Sequence, residues 1–241
     1  MLFRSLELLH VAQGRMEACG CDLIKAKYNH IWGVMYQRLE SCDEARSKLT
    51  IAKELFIASG SKLEAAQCLR GLGEIAQMEH KYEDAKVILS DAKKEFYDAE
   101  SRNMLGLAQC IQCLGEIARM EGSFTEAKHQ LSRACKLFIG IGSRLGAAQC
   151  LRSLGDIARM ERSYEWAWEM LTDARRHFSI IGCGLEEAQC WELLGDIARH
   201  RGDNKAARYN YAQAIKIYEE KGIRSLLIRC RRDHSRLPHP T

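Results

Sequence analysis

Proline is nearly missing from this 241-residue sequence; the two present, Pro238 and Pro240, stand at its very end. A proline ring removes a backbone donor and clashes with the preceding helical turn, so its absence elsewhere permits helix throughout. No run of about 18 apolar residues occurs, which excludes a transmembrane helix. Period-two alternation is absent, which excludes a β-solenoid. No glycine-rich phosphate loop ending in Gly-Lys-Ser/Thr and no HExxH pattern is present, and no Ser/His/Asp or paired-carboxylate motif has a supporting context. The reading is therefore not an enzyme, with no cofactor and no metal. Charge of one sign is also lacking: the formal net charge is +4, with acidic and basic residues intermixed, which argues against a nucleic-acid surface. The leucines of the first fourteen residues are interrupted by Arg4, Glu7 and His10, so a secretion signal is not expected. The eleven cysteines are odd in number and periodically placed, and so read as reduced thiols of a cytoplasmic protein.

What the sequence has instead is a repeat. LGEIA occurs at Leu72–Ala76 and Leu114–Ala118, and LGDIA at Leu154–Ala158 and Leu194–Ala198, at intervals of 42, 40 and 40 residues. Ala-Gln-Cys precedes each, ending at Cys68, Cys110, Cys150 and Cys190. Small residues follow at Ala85, Ala127, Ala167 and Ala207, and again at Ala92, Ala134, Ala174 and Ala214. An aromatic comes next at Phe96, Phe138, Phe178 and Tyr218. A diverged copy lies upstream at Gly33, Ala45, Leu49, Ala52 and Phe56, and a partial one at Ser5, Leu9, Ala12 and Met16. Ile228-Arg229-Cys230 continues the series downstream.

Apolar residues at three- and four-residue steps make each unit two amphipathic helices. The expected organisation is one array over 1–236. It comprises a second helix of a partial repeat at 1–19, helix pairs at 22–59, 62–99, 102–140, 143–181 and 184–221, and a capping helix at 223–236. A tail occupies 237–241. The longer interval puts a two-residue insertion near 100–105. Gly60, Gly142, Gly182 and Gly222 are placed to end second helices in the left-handed conformation. Ser41 with Glu44, Ser61 with Glu64 and Ser123 with Glu126 fit the capping box.

The spacing Leu72, Gly73, Ala76, Ala85, Leu89, Ala92 resembles the tetratricopeptide repeat, and all five units keep the glycine and both alanines in step. The period near 40 exceeds the usual 34, the closing proline is missing, and alanine stands where the first helix usually has tyrosine. Repeats of this length are similar to those of kinesin light chains and of Pins/LGN polarity adaptors, and the phrasing from Leu145 to Ala167, LGAAQCLRSLGDIARMERSYEWA, most closely resembles the arrays of fungal NB-ARC/STAND signalling proteins. The resemblance implies an all-α, right-handed superhelical solenoid of antiparallel helix pairs. It also implies a partner surface on the concave face of the first helices. Spacing places four residues of each first helix on one face. These are Gln67, Arg70, Glu74 and Gln77; Gln109, Gln112, Glu116 and Arg119; Gln149, Arg152, Asp156 and Arg159; and Gln189, Glu192, Asp196 and Arg199. Met78, Met120, Met160 and His200 flank them.

The expected partner is an extended polar protein or peptide segment, its charges met by Arg119, Arg159 and Arg199 through paired donors. The bland alternative is that these carboxylates and arginines pair with one another along and between helices. No nucleic acid and no membrane is expected. Two further readings stand beside the binding scaffold or adaptor: the sensor portion of a larger NB-ARC/STAND-type ATPase, and self-association through the apolar N-terminal helix. The recurring cysteines read as seam-filling thiols. Cys110 and Cys113 have metal-ligand spacing without a second pair, and Cys19-Gly-Cys21 sits in a turn. The eight histidines read as solvated. Of Trp166 and Trp168, two apart on one helix, one is expected in the core and the other outside. The last helix is read as a cap whose apolar face carries Leu226, Leu227 and Cys230 and whose arginines meet water.

Overall fold

The computed structural model describes residues 21–98 and 103–238. Among the described residues there are eleven α-helices and no strand. They are α1 (Asp22–Arg38), α2 (Cys42–Ala58), α3 (Lys62–Met78), α4 (Tyr82–Asp98), α5 (Met104–Met120), α6 (Phe124–Gly140), α7 (Arg144–Met160), α8 (Tyr164–Ile180), α9 (Gly184–His200), α10 (Asn204–Lys221) and α11 (Arg224–Ser235). The helix expected at 1–19 and the turn carrying much of the two-residue insertion lie outside the described residues. The chain divides into two compact units, Met1–Ile117 and Ala118–Thr241, with the division inside α5.

In the first unit α1 packs on α2 and α3 on α4, and α2 also meets α3. The contact inside each pair is a close approach that only glycine permits. A Cβ on Gly33 would lie 2.6 Å from Leu49 Cγ, and one on Gly73 would lie 2.6 Å from Leu89 Cγ. The leucine of the second helix is seated directly on the glycine of the first. Around that seat the rows Ala45, Leu49, Ala52, Phe56 and Ala85, Leu89, Ala92, Phe96 are at most 1% exposed. Joining one pair to the next, Phe96 lies against Gly106 at 2.6 Å from an added Cβ.

The second unit repeats the device. Gly155 receives Leu171 at 2.7 Å and Gly195 receives the Tyr211 ring at 2.8 Å, while Gly146 lies against Phe138. Here α7 packs on α8 and α9 on α10, with α6 on α7, α8 on α9 and α11 on α10 completing the sequence of contacts. Cys150, Cys190 and Cys230 are fully buried here, as are Cys68 and Cys110 in the first unit. Burial pushes the thiols of Cys68, Cys110, Cys190 and Cys230 up to about 12. They are neutral fillers of the helix seam.

Helix ends explain the constant length of the elements. Gly60, Gly142, Gly182 and Gly222 are left-handed, with φ of 76°, 74°, 73° and 69°, as the sequence pattern requires. The turns inside pairs are left-handed too, and at Glu40, His80 and Arg162 a side-chain-bearing residue adopts φ of 58°, 60° and 62°. The capping boxes do not form: Ser41, Ser61 and Ser123 make no side-chain cap bond. The reason lies in the preceding helix. Each serine amide already donates to the carbonyl five residues back, Tyr36, Phe56 and Ala118, at 3.0, 2.8 and 2.9 Å. That closes the Schellman turn and leaves no serine N–H for the glutamate to accept. Asp203 does cap, accepting from the Ala206 amide at 2.9 Å. So does Asn103, which accepts from the Gly106 amide at 2.8 Å.

Left-handed backbone costs an L residue about 1 kcal/mol or more relative to glycine. Gly142→Ala is therefore expected to lower unfolding free energy by about 1 kcal/mol, and Arg162→Gly to leave it unchanged or raise it. Urea denaturation of the two variants checks this, with equal effects as the contrary result.

Candidate binding recesses on the first helices

The polar rows of the first helices line a recess in each unit. In the first unit Gln67, Arg70 and Glu74 of α3 meet His30, Val34, Gln37 and Arg38 of α1 around a space of about 370 Å³. Glu74 is its hub. It accepts from Gln37 Nε2 at 2.7 Å and from Arg70, and the Cys113 thiol lies 3.8 Å away. Burial, with the Arg70 charge added, holds His30 below its ordinary value, so the ring enters the recess neutral near pH 7. Gln77, Gln109, Gln112 and Glu116 are partly buried and do not line this recess, while Met78 does.

The recess of the second unit is larger, about 600 Å³, and more highly charged. Its walls include Arg152, Asp156 and Arg159 of α7, Gln189, Glu192 and Asp196 of α9, and Arg119 from the end of α5. Leu226, Arg229 and Asp233 of α11 close it. Gln149 is partly buried outside it, and Arg199 is exposed at its edge. Asp156 Oδ1 accepts from Arg159 at 2.6 and 3.0 Å, and its Oδ2 lies 3.4 Å from Arg119. Asp196 accepts from the Tyr211 hydroxyl at 2.6 Å and lies 3.4 Å from Arg199. Thus the three arginines expected to meet a partner's charges each hold an aspartate of the protein itself, because a carboxylate three residues back or one pair onward is within reach.

Glu192 departs furthest from the expectation of an open groove position. Its side chain is 8% exposed, and both oxygens are occupied. Arg229 grips them as a fork at 2.8 and 2.9 Å, and the Tyr218 hydroxyl adds a bond at 2.9 Å. Burial, together with the carboxylate each one bonds, holds the Tyr211 and Tyr218 phenols above their ordinary range, so both remain donors. The sequence reading sent Arg229 to water; the structure makes it the clasp between α11 and α9. A signal existed, since Arg229 falls 40 residues after Gln189 and so extends the row Gln67, Gln109, Gln149, Gln189 by one step. The apolar side of α11 lies as expected, with Cys230 buried and Leu226 and Leu227 packed on the last pair. Trp166 and Trp168 are both half-buried, so neither the core nor the exterior position expected for them is fully taken.

No group of His, Cys, Asp and Glu fit to hold a metal ion occurs among the described residues. No described helix is long and apolar enough to cross a membrane.

No protein-family model matches the chain, and no curated protein matches it in sequence. Solved structures do match in fold. A Rap protein complexed with competence and sporulation factor superposes with a TM-score of 0.73 at 13% identity, over 98% of this chain and 70% of that one. The Rap conjugation regulator of plasmid pLS20, in complex with the Phr* peptide, gives 0.72 at 16% identity over 98% and 68%. A signal-transduction ATPase of the STAND class with a tetratricopeptide repeat sensor, from Pyrococcus horikoshii, gives 0.69 at 13% identity over 92% of this chain and 36% of that one.

Truncating Arg229 strands a buried carboxylate, which costs about 1–3 kcal/mol. Arg229→Ala is expected to speed amide exchange throughout α11, while Glu192→Gln, which keeps a neutral acceptor for Tyr218, does so less. Hydrogen-exchange mass spectrometry separates the two, and unchanged α11 protection in Arg229→Ala would refute the clasp. Repeat spacing, glycine seats and superposition agree: in fold this chain is a tetratricopeptide-type array of antiparallel helix pairs.

Proposed function

We propose that the chain is a non-enzymatic scaffold that binds an extended protein or peptide segment along the polar face of its first helices. One observation carries the reading. Both recesses are lined mainly by side chains of first helices, and in each the guanidinium, amide and carboxylate groups are held in place by bonds to neighbouring helices. Groups fixed in this way lose little rotamer freedom when a ligand arrives, which lowers the entropic cost of binding. An extended peptide has an unpaired backbone donor and acceptor at each residue, and the side-chain amides of Gln67 and Gln189 in the recesses suit both. One Rap structure that shares the fold was solved in complex with the Phr* peptide and another with competence and sporulation factor, which adds support to a peptide ligand.

A second reading is the sensor portion of a larger signalling ATPase, favoured by the likeness to the STAND protein with its repeat sensor. It needs the same binding face and differs in what the face is attached to. A longer reading frame encoding a nucleotide-binding domain decides for it.

The scaffold reading is tested by panning a random-peptide display pool on the immobilised chain and following the retained peptides by hydrogen exchange. They are expected to slow amide exchange in α7 and α9 while leaving α8 and α10 unchanged. Protection confined to α8 and α10 would move the binding face to the second helices and overturn the reading.

A further inference from the structure

The recess of the second unit contains one arginine that differs from all the others. Asp156 holds Arg119 and Arg159, Asp196 holds Arg199, Glu192 holds Arg229, and Asp233 lies 3.6 Å from Arg236. Among the described residues Arg152 bonds only a neutral acceptor, the side-chain oxygen of Gln189 on the next first helix. The recess lining holds four guanidiniums and four carboxylates, and two of those carboxylates, Asp196 and Asp233, are met by Arg199 and Arg236, which do not line it. Arg152 is therefore the lining guanidinium whose partner is an amide oxygen and not a carboxylate.

We infer that Arg152, with Gln189, is the receiving point for a side-chain carboxylate of the bound segment, so the partner is an acidic peptide. This inference rests on the scaffold reading and names its chemistry. Internal carboxylates compete with a ligand for the other arginines. A ligand carboxylate approaching Arg159, Arg199 or Arg229 meets a guanidinium that already holds an internal carboxylate. To displace it would leave Asp156, Asp196 or Glu192, with side chains only 21%, 22% and 8% exposed, short of a cation. An under-paired carboxylate in such a position is costly. At Arg152 the incoming oxygen displaces only an amide oxygen.

The exchange is favourable in both halves. The guanidinium is charged in both states, but a carboxylate adds the opposite charge that an amide oxygen lacks, and the planar fork can take both of its oxygens. The released Gln189 side chain keeps an N–H pair to donate to the ligand. Leu193 and Leu226 line the same space and offer an apolar wall. An aliphatic residue near the acidic one is the complementary ligand feature.

The test uses the full chain and two display pools of short random peptides, one containing Asp and Glu and one without them. Retained clones are titrated calorimetrically at physiological salt. Binders are expected from the acidic pool, with affinity falling about tenfold or more when the critical Glu of a clone is replaced by Gln. Arg152→Gln is expected to give the same loss on the acidic clone and no further loss on its Gln form. Arg152→Lys, which keeps the charge without the fork, recovers part of it. Matching helix content and melting temperature of the variants exclude a folding defect. Equal binders from the acid-free pool, or an acidic clone that binds Arg152→Gln as tightly as the parent, would overturn the assignment while leaving the scaffold reading intact. Retention of no peptide from either pool would overturn both.

Discussion

The seat of a second-helix side chain on a first-helix glycine is the contact on which the remaining architecture depends. Gly33, Gly73, Gly155 and Gly195 each sit where a Cβ would fall 2.6 to 2.8 Å from Leu49, Leu89, Leu171 or Tyr211. Glycine inside a helix costs about 1 kcal/mol relative to alanine, so its placement mid-helix four times over needs a packing reason. The close approach fixes how the two helices of a pair face each other. Once it is fixed, the alanine rows pack behind it and the opposite side of the first helix is left to polar residues. The polar face is thus a by-product of the seam.

The polar face itself is assembled by charge pairing between neighbouring first helices. Arg119 reaches Asp156, Arg152 reaches Gln189 and Arg229 reaches Glu192, each 37 residues apart in the chain. The same separation relates Gln37 and Glu74 in the first unit. A group on one first helix is therefore held by its neighbour on the next. The last pair adds hydroxyls from beneath, with Tyr211 and Tyr218 standing where the other pairs have leucine and phenylalanine. The result is a surface whose donors and acceptors are largely committed to one another, which makes the neutral partner of Arg152 informative.

The fold was legible in the sequence because its determinants are local and periodic. A glycine, two alanines and an aromatic at constant spacing describe the seam completely, and left-handed turns announce themselves through glycine at Gly60, Gly142, Gly182 and Gly222. Capping boxes were misread because the same serines serve two helices, and the sequence does not reveal that the preceding helix claims the amide first. The polar positions were legible as rows on one face of each first helix, though Gln77, Gln109, Gln112, Glu116 and Gln149 line neither recess. Which of them remain available was not, because partner choice depends on neighbours 37 residues away. A side chain such as Glu192 reads as solvent-facing until Arg229 is brought over it. Glu40, His80 and Arg162 show the same limit, being forced into left-handed turns that their identity does not signal.

A double-mutant cycle on the seam tests the governing contact most directly. Gly155→Ala and Leu171→Ala are made singly and together, and unfolding free energies are measured in urea. If the leucine sits on the glycine, an added methyl is harmful mainly while the leucine is present. The penalty of Gly155→Ala should then shrink by about 1 kcal/mol or more in the Leu171→Ala background. Strict additivity of the two substitutions would contradict the account.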